Sequence, residues 1–245
     1  LRAAAGLPGV TVATVCDVDA RAMEDASAEI QKLTQAAPKK EADLRKVLED
    51  KEIDGVICAA PDHWHAPAAL MTMKAGKAIY VEKPCSHNPR EGEILVAAAD
   101  KYKAVFQMGN QRRSSEVYKN TIKEIRAGLI GEPRFARCWY ATQRQPIGKG
   151  QKVAVPEWLN WDLWQGPAPR REFRDNLVPY TWHWFHHWGT GECGNNATHY
   201  VDVARWALNV TFPSRVTSAG GRFFYEGDDW EWFDTQAATF EFPGR

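Results

Sequence analysis

AIYVEKPCSHN, residues 78–88, is a run of strand formers that stops at Glu82-Lys83-Pro84. Proline cannot donate to a sheet, and it disfavours helix in the residue before it. Lys83 is therefore expected at a strand's last position, its side chain projecting off the end of the sheet. Working outward, VTVATV (10–15), IDGVICAA (53–60) and AVFQMG (104–109) read as further strands. Helical stretches separate them: 20–37; 41–50, where Leu44, Val47 and Leu48 share a face; 66–74, stopped by Gly76; and 90–102. This alternation with short connections predicts a parallel, doubly wound sheet of the α/β class. Its crossovers put every strand's C-terminal end on one rim, where ligands bind. Asp17, Pro61, Glu82, Lys83 and residues 109–111 all follow strand ends, so they are expected around one crevice.

The composition changes after Pro133. Ten of the eleven tryptophans lie beyond residue 130, and strand-like segments at 134–141, 215–225 and 235–242 have longer, irregular connections. This predicts a second, α+β domain with a mostly antiparallel sheet, entered by a helix whose face carries Tyr118, Ile122, Ile125 and Leu129. The expected division is 1–112 and 113–245.

Lys+Arg and Asp+Glu balance at 31 each, which gives no reason to expect nucleic acid or an anionic membrane as partner. No apolar run approaches the roughly 18 residues needed to span a bilayer. The five cysteines are scattered without CxxC spacing, so neither a disulfide framework nor a zinc ribbon is expected. The opening LRAAAGLPG reads as the tail of a helix and a turn, and the closing TQAATFEFPGR as a strand just begun. The chain therefore reads as a segment, and any signal peptide would lie upstream.

Asp17 ends a strand in the position where an acidic side chain hydrogen-bonds the adenosine ribose hydroxyls of a dinucleotide and repels a 2′-phosphate, favouring NAD over NADP. The Gly-rich phosphate turn belongs about 20 residues earlier. In CAAPDHWHAP (58–67), His63 and His65 are two apart and point to opposite sides if extended, a poor arrangement for one metal ion. A loop packed against a cofactor, with Pro61 and His65 in it, is the preferred reading. The Hx2HH run of His183, His186 and His187 with Glu192 matches no standard metal site closely, and no metal is expected. From Asn195 onward a helix is expected, placing Asn195, His199, Asp202 and Trp206 on one face. PEWLNWDLWQGPAP and VPYTWHWFHHWGTGE gather six tryptophans with Tyr180 and three histidines. Indole faces suit sugar C–H faces while polar side chains take hydroxyls, so Trp164, Tyr180, Trp182 and His183 are expected at a carbohydrate-sized pocket.

Asp17 after a strand, PDHWH (61–65), VEKP (81–84) and GNQRR (109–113), in this order and spacing, resemble the Gfo/Idh/MocA oxidoreductases, which include glucose–fructose oxidoreductase and inositol dehydrogenase. The resemblance runs over nearly the whole chain. It implies an NAD-binding Rossmann domain lacking its first strand, followed by a substrate domain whose sheet supports homo-oligomer contacts. It also implies that Lys83 lies beside the nicotinamide and the reacting substrate oxygen, with Glu82 nearby. Asn110 and Arg112, from GNQRR, are expected at the cofactor. Relatives carry a histidine at His199 as substrate ligand and proton relay, often preceded at i−4 by aspartate. Here that position is Asn195, which can orient an imidazole but cannot stabilise imidazolium as a carboxylate does. The Lys83–Pro84 bond is expected to be cis.

These readings combine into an NAD-dependent oxidoreductase acting on a sugar, polyol or glycoside, with Lys83 and His199 catalytic. One rival keeps NAD bound and cleaves glycosides by transient oxidation; another is a non-catalytic NAD- or sugar-sensing regulator on the same fold. Tryptophan-rich relatives are often exported by a twin-arginine signal, so the compartment is left open between cytoplasm and periplasm.

Overall fold

In the computed structural model, which describes residues 2–244, the first half is strand and helix in strict alternation. The elements are β1 (Thr14–Cys16), α2 (Ala20–Thr34), β2 (Lys39–Glu41), α3 (Leu44–Glu49), β3 (Gly55–Cys58), α4 (Asp62–Lys74), β4 (Ala78–Glu82), α5 (Pro89–Tyr102) and β5 (Phe106–Gly109), after a short α1 (Arg2–Ala5). β1 pairs in parallel with β2, and β3, β4 and β5 form a second parallel ladder in that order. β2 carries the sequence Lys-Lys-Glu. It shows none of the apolar patterning that identifies a buried strand, which is why sequence reasoning passes over it.

Side-chain caps set the helix starts. Asp19 accepts from the Arg21 and Ala22 amides, Asp43 from that of Arg45 and Asn88 from that of Glu91. The helix expected from residue 66 begins four residues earlier, at Asp62. HWH is therefore the first helical turn and not a loop; Pro61, at φ −58°, already has the backbone angle that helix entry needs. Ala66, Ala69 and Met73 of α4 then pack with Val81 of β4 and Leu95 of α5 in one core, each at most 1 % exposed.

The second half contains α6 (Glu116–Arg126), α7 (Trp161–Gln165), α8 (Thr198–Leu208) and the strands β6 (Arg215–Gly221) and β7 (Thr235–Glu241). β6 and β7 are antiparallel, as expected, with Arg215 opposite Glu241 and Gly221 opposite Thr235. The Asp234 carboxylate gathers the Phe223, Phe224 and Tyr225 amides between them. Residues 134–141 differ from expectation: they pair in no ladder, and Phe135 and Trp139 stand 81 % and 75 % exposed. Strand-like composition does not make a strand without a neighbour to take its backbone groups.

The tryptophans are mostly core. Trp161, Trp164, Trp182 and Trp188 pack with Phe173 and Leu177, and Trp184 stacks on Trp230 at 3.9 Å beside Tyr225. Each such side chain contributes about 1.5–3 kcal/mol of burial. Several contacts tie the halves together, and one of them centres on Trp64. The Trp64 indole donates to the Leu163 and Trp164 carbonyls and lies where a Gly166 Cβ would fall, 2.4–2.8 Å from it. Gly166 also has φ +55°, which L side chains rarely adopt. Gly166→Ala is expected to cost roughly 2 kcal/mol, measurable as a shift of the urea midpoint; an unchanged midpoint would show that Trp64 has room to move. Among the described residues no helix is long and apolar enough to cross a membrane.

Candidate active site

Two of the strand ends converge on one cleft; Glu82, Lys83 and residues 109–111 are not among its walls. Asp17 after β1, Pro61 after β3 and the walls of α4 open onto a cleft of about 510 Å³, closed on the far side by residues 178–180, Trp164 and Trp182. Asp17 is turned into place by the Asp19 amide, which donates to its Oδ1 at 2.9 Å. Burial raises its pKa above the ordinary carboxylate value. A half-buried carboxylate with spare lone pairs and no cation on it suits hydroxyl donors. At the other end of the rim Asn110 keeps a buried, unpartnered Oδ1. Both residues therefore fit the hydroxyl and amide donors of a nicotinamide dinucleotide.

Lys83 leaves the end of β4 and reaches the second half. Its Nζ donates to the Asn195 backbone carbonyl at 2.7 Å and to Asn195 Oδ1 at 2.8 Å. A widened, π-type turn at Cys193–Ala197 precedes α8; such turns recur at functional sites because they free backbone groups and re-aim side chains. Here one residue offers the ammonium both its oxygens. His199 follows one turn later, 8 % exposed, with a buried Nδ1 that has no partner. The Lys83–Pro84 bond is cis, as expected.

The charges of these groups act on one another. Burial lowers the Lys83 pKa; Asp62, Glu82 and Glu192 oppose the shift, while Arg144 adds to it. Burial also lowers His199, assisted by the Lys83 ammonium and Arg112. His183 is lowered by burial, with Lys83 and Arg144 in the same direction. Its Nδ1–H donates to the Tyr180 carbonyl at 2.6 Å, so the neutral ring keeps Nε2 as an acceptor.

Other expected residues fall differently. His65 is 2 % exposed and its Nδ1–H donates to the Pro84 carbonyl, so it braces the rim turn and stands outside the cleft wall. Arg112 lies over Tyr200 of α8 at 4.2 Å, away from the Asp17 end. Glu82 accepts the Lys83 backbone N–H at 3.3 Å. Trp164 and Trp182 reach the cleft only by an edge; both are under 8 % exposed and packed in the aromatic core. Tyr180 is open, at 46 %. Asp202, expected on the same helix face as His199, is occupied by Arg113, which donates to both its oxygens at 2.7 Å. His183, His186 and His187 diverge: His187 donates to the Pro169 carbonyl and His186 sits against Trp232. Among the described residues no three His, Cys, Asp or Glu side chains converge on a metal-sized site.

Two groups at the site are not among the functional residues the sequence points to. Asp62 fastens the halves by accepting from the Thr190 amide at 3.0 Å and the Thr190 hydroxyl at 2.6 Å. Arg144 donates to Glu192 at 2.6 Å and lies near Tyr180 and Trp184. It sits in a stretch without helical or strand period, where only its charge gives a signal.

Two parallel ladders, one ending in an acidic group and the other in a lysine met by a second unit, are the pattern of a dinucleotide-binding α/β protein. Residues 2–110 match the family model described as "Oxidoreductase family, NAD-binding Rossmann fold", and residues 122–219 match "Oxidoreductase family, C-terminal alpha/beta domain". The chain belongs to the Gfo/Idh/MocA oxidoreductase family. It is 34 % identical over 107 residues to scyllo-inositol 2-dehydrogenase (NAD(+)) of Bacillus subtilis, covering 42 % of this chain and 30 % of that protein. It is 30 % identical over 183 residues to a glycosyl hydrolase family 109 protein of Saccharopolyspora erythraea, covering 69 % and 40 %. The WlbA dehydrogenase of Bordetella pertussis, solved in complex with NADH and UDP-GlcNAcA, superposes with a TM-score of 0.63 at 19 % identity, over 93 % of this chain and 59 % of that one. The chain thus spans well under half the length of those two curated relatives.

Proposed function

We propose that the chain forms the hydride-transfer site of an NAD-dependent oxidoreductase acting on a hydroxyl-bearing carbon of a sugar, polyol or glycoside. The observation that carries this reading is the Lys83 ammonium held by two Asn195 oxygens one helical turn before His199. Two of the three Nζ–H groups are engaged, and the third remains for the substrate oxygen. Nicotinamide, when bound, supplies the hydride acceptor. Lys83 stabilises negative charge as the hydroxyl loses its proton, and His199, kept neutral by burial and by Lys83, takes that proton. Asp17 would hold the ribose hydroxyls, with Asn110 at the other end of the rim. Tyr180 and His183 supply polar contacts to substrate hydroxyls.

The likeness to a family 109 protein over 183 residues favours one second reading, in which oxidation is transient and the net reaction is glycoside cleavage. Incubating the protein as its host makes it with NAD and a panel of polyols and aryl glycosides separates them. Stoichiometric NADH, seen as absorbance, is expected. Product without net NADH would move the assignment to redox-assisted cleavage, and no turnover of either kind would leave the sensor reading. The exposed strands β6 and β7, with Val216 52 % and Phe240 38 % exposed, are the surface on which the proposed homo-oligomer would form.

A further inference from the structure

Near Asp17 the same short pattern occurs twice: Asp19-Ala20-Arg21 and Asp43-Leu44-Arg45. Each aspartate caps the helix that follows β1 or β2. Each also grips the arginine two residues on. Arg21 donates to both Asp19 oxygens, at 3.1 and 2.8 Å. Arg45 donates to both Asp43 oxygens, at 2.9, 3.0 and 2.6 Å. Arg21 also lies over the Trp158 ring, its Cζ 3.3 Å from the centroid. Asp17, Asp19 and Asp43 line the cleft, and neither guanidinium is among its walls.

These carboxylates belong to one place. The Asp17 amide donates to the Glu41 carbonyl at 3.2 Å, joining the ends of β1 and β2. The Cys16 thiol beside them is pushed up to about 12 by burial and then by Asp17, Glu41, Asp43 and, further down, Cys58. An arginine free at this point would be the natural partner of a phosphate on the adenosine ribose. Here Arg21 follows Asp17 closely in the chain and Arg45 follows Asp43, which lines the same cleft, and each is already held in a bidentate pair by its aspartate.

We propose that discrimination against NADP rests on these two Asp-x-Arg locks as well as on Asp17: Asp19 and Asp43 keep Arg21 and Arg45 from turning to a 2′-phosphate. The inference rests on the NAD reading above and adds the residues that enforce it. Asp17 supplies repulsion; the locks withhold attraction. The two effects are separable, because removing the repulsion leaves the cations still tied.

The test is calorimetric titration of NAD+ and NADP+ into the protein as its host makes it, read as the ratio of the two dissociation constants. D17S alone is expected to improve the ratio for NADP+ by less than about fivefold, since the repulsion of a single carboxylate is lost. D17S/D19N/D43N is expected to improve it by roughly tenfold more, the scale of one charge-assisted phosphate contact. Asparagine keeps the helix cap, and matched thermal unfolding curves verify that the variants are folded. Adding R21A/R45A to the triple variant should abolish the gain, which a general loss of negative charge would not predict. A triple variant no better than D17S, or a gain that survives R21A/R45A, overturns the locks while leaving the NAD reading intact. Failure of the unaltered protein to bind either nucleotide overturns the NAD reading and the locks together.

Discussion

Replacing Lys83 with methionine is expected to lower turnover by on the order of 10³-fold, the usual scale for removing a positioned proton-transfer or charge-stabilising group. Methionine keeps the length and apolar stem but offers no donor, so the substrate oxygen loses its partner as charge develops. The variant should still bind NAD, because Asp17 and Pro61 lie at the other end of the rim. Arginine is not expected to rescue it, since a planar fork cannot place two donors on the Asn195 oxygens and keep a third along the Nζ direction. Turnover by K83M within tenfold of the unaltered protein, at saturating NAD, would remove Lys83 from the chemistry and with it the proposed mechanism.

Acid should weaken the fold through His63. This ring is 5 % exposed, lies 5.0 Å from both the Trp164 and the Trp188 rings, and donates Nε2–H to the Trp164 carbonyl. Burial depresses its pKa from the ordinary 6.5 to about 4. Between those values the unfolded chain takes up a proton that the folded chain refuses. Stability from neutral His63 is therefore whole above pH 6.5, falls as the pH drops and is gone by about pH 4. The difference amounts to about 3 kcal/mol. Urea unfolding at pH 7 and pH 4.5 measures it, with His63→Gln as control: glutamine retains an N–H donor but does not titrate. If the two proteins lose stability in parallel on acidification, His63 is not the source. Asp17 works against the trend, because its raised pKa makes its burial less costly as the pH falls, so the comparison with the variant is the decisive quantity.

The rim was legible because it is written locally. A strand ending at Pro84 fixes where Lys83 points, and the same rule applies at Asp17 and Pro61. The parallel pairing of β3, β4 and β5 followed from their spacing. β2 was not legible, because three polar residues carry no period and only pairing with β1 makes them a strand. HWH looks like a loop because proline and paired histidines resemble punctuation, whereas Pro61 here starts a helix. The tryptophans were harder still. Composition says that indoles are concentrated between Trp158 and Trp188, but whether they face a ligand or one another depends on packing between distant segments. Most face one another. Arg144 and Thr190 reach the site from stretches without a pattern, and their partners are 48 and 128 positions away.

The bond from Lys83 to Asn195 joins a strand of one unit to a turn of the other. If the two units swing apart, the ammonium loses both oxygens and regains water. The setting of this ammonium is thus a joint product of both units, so a change that shifts one against the other would be felt first at Lys83.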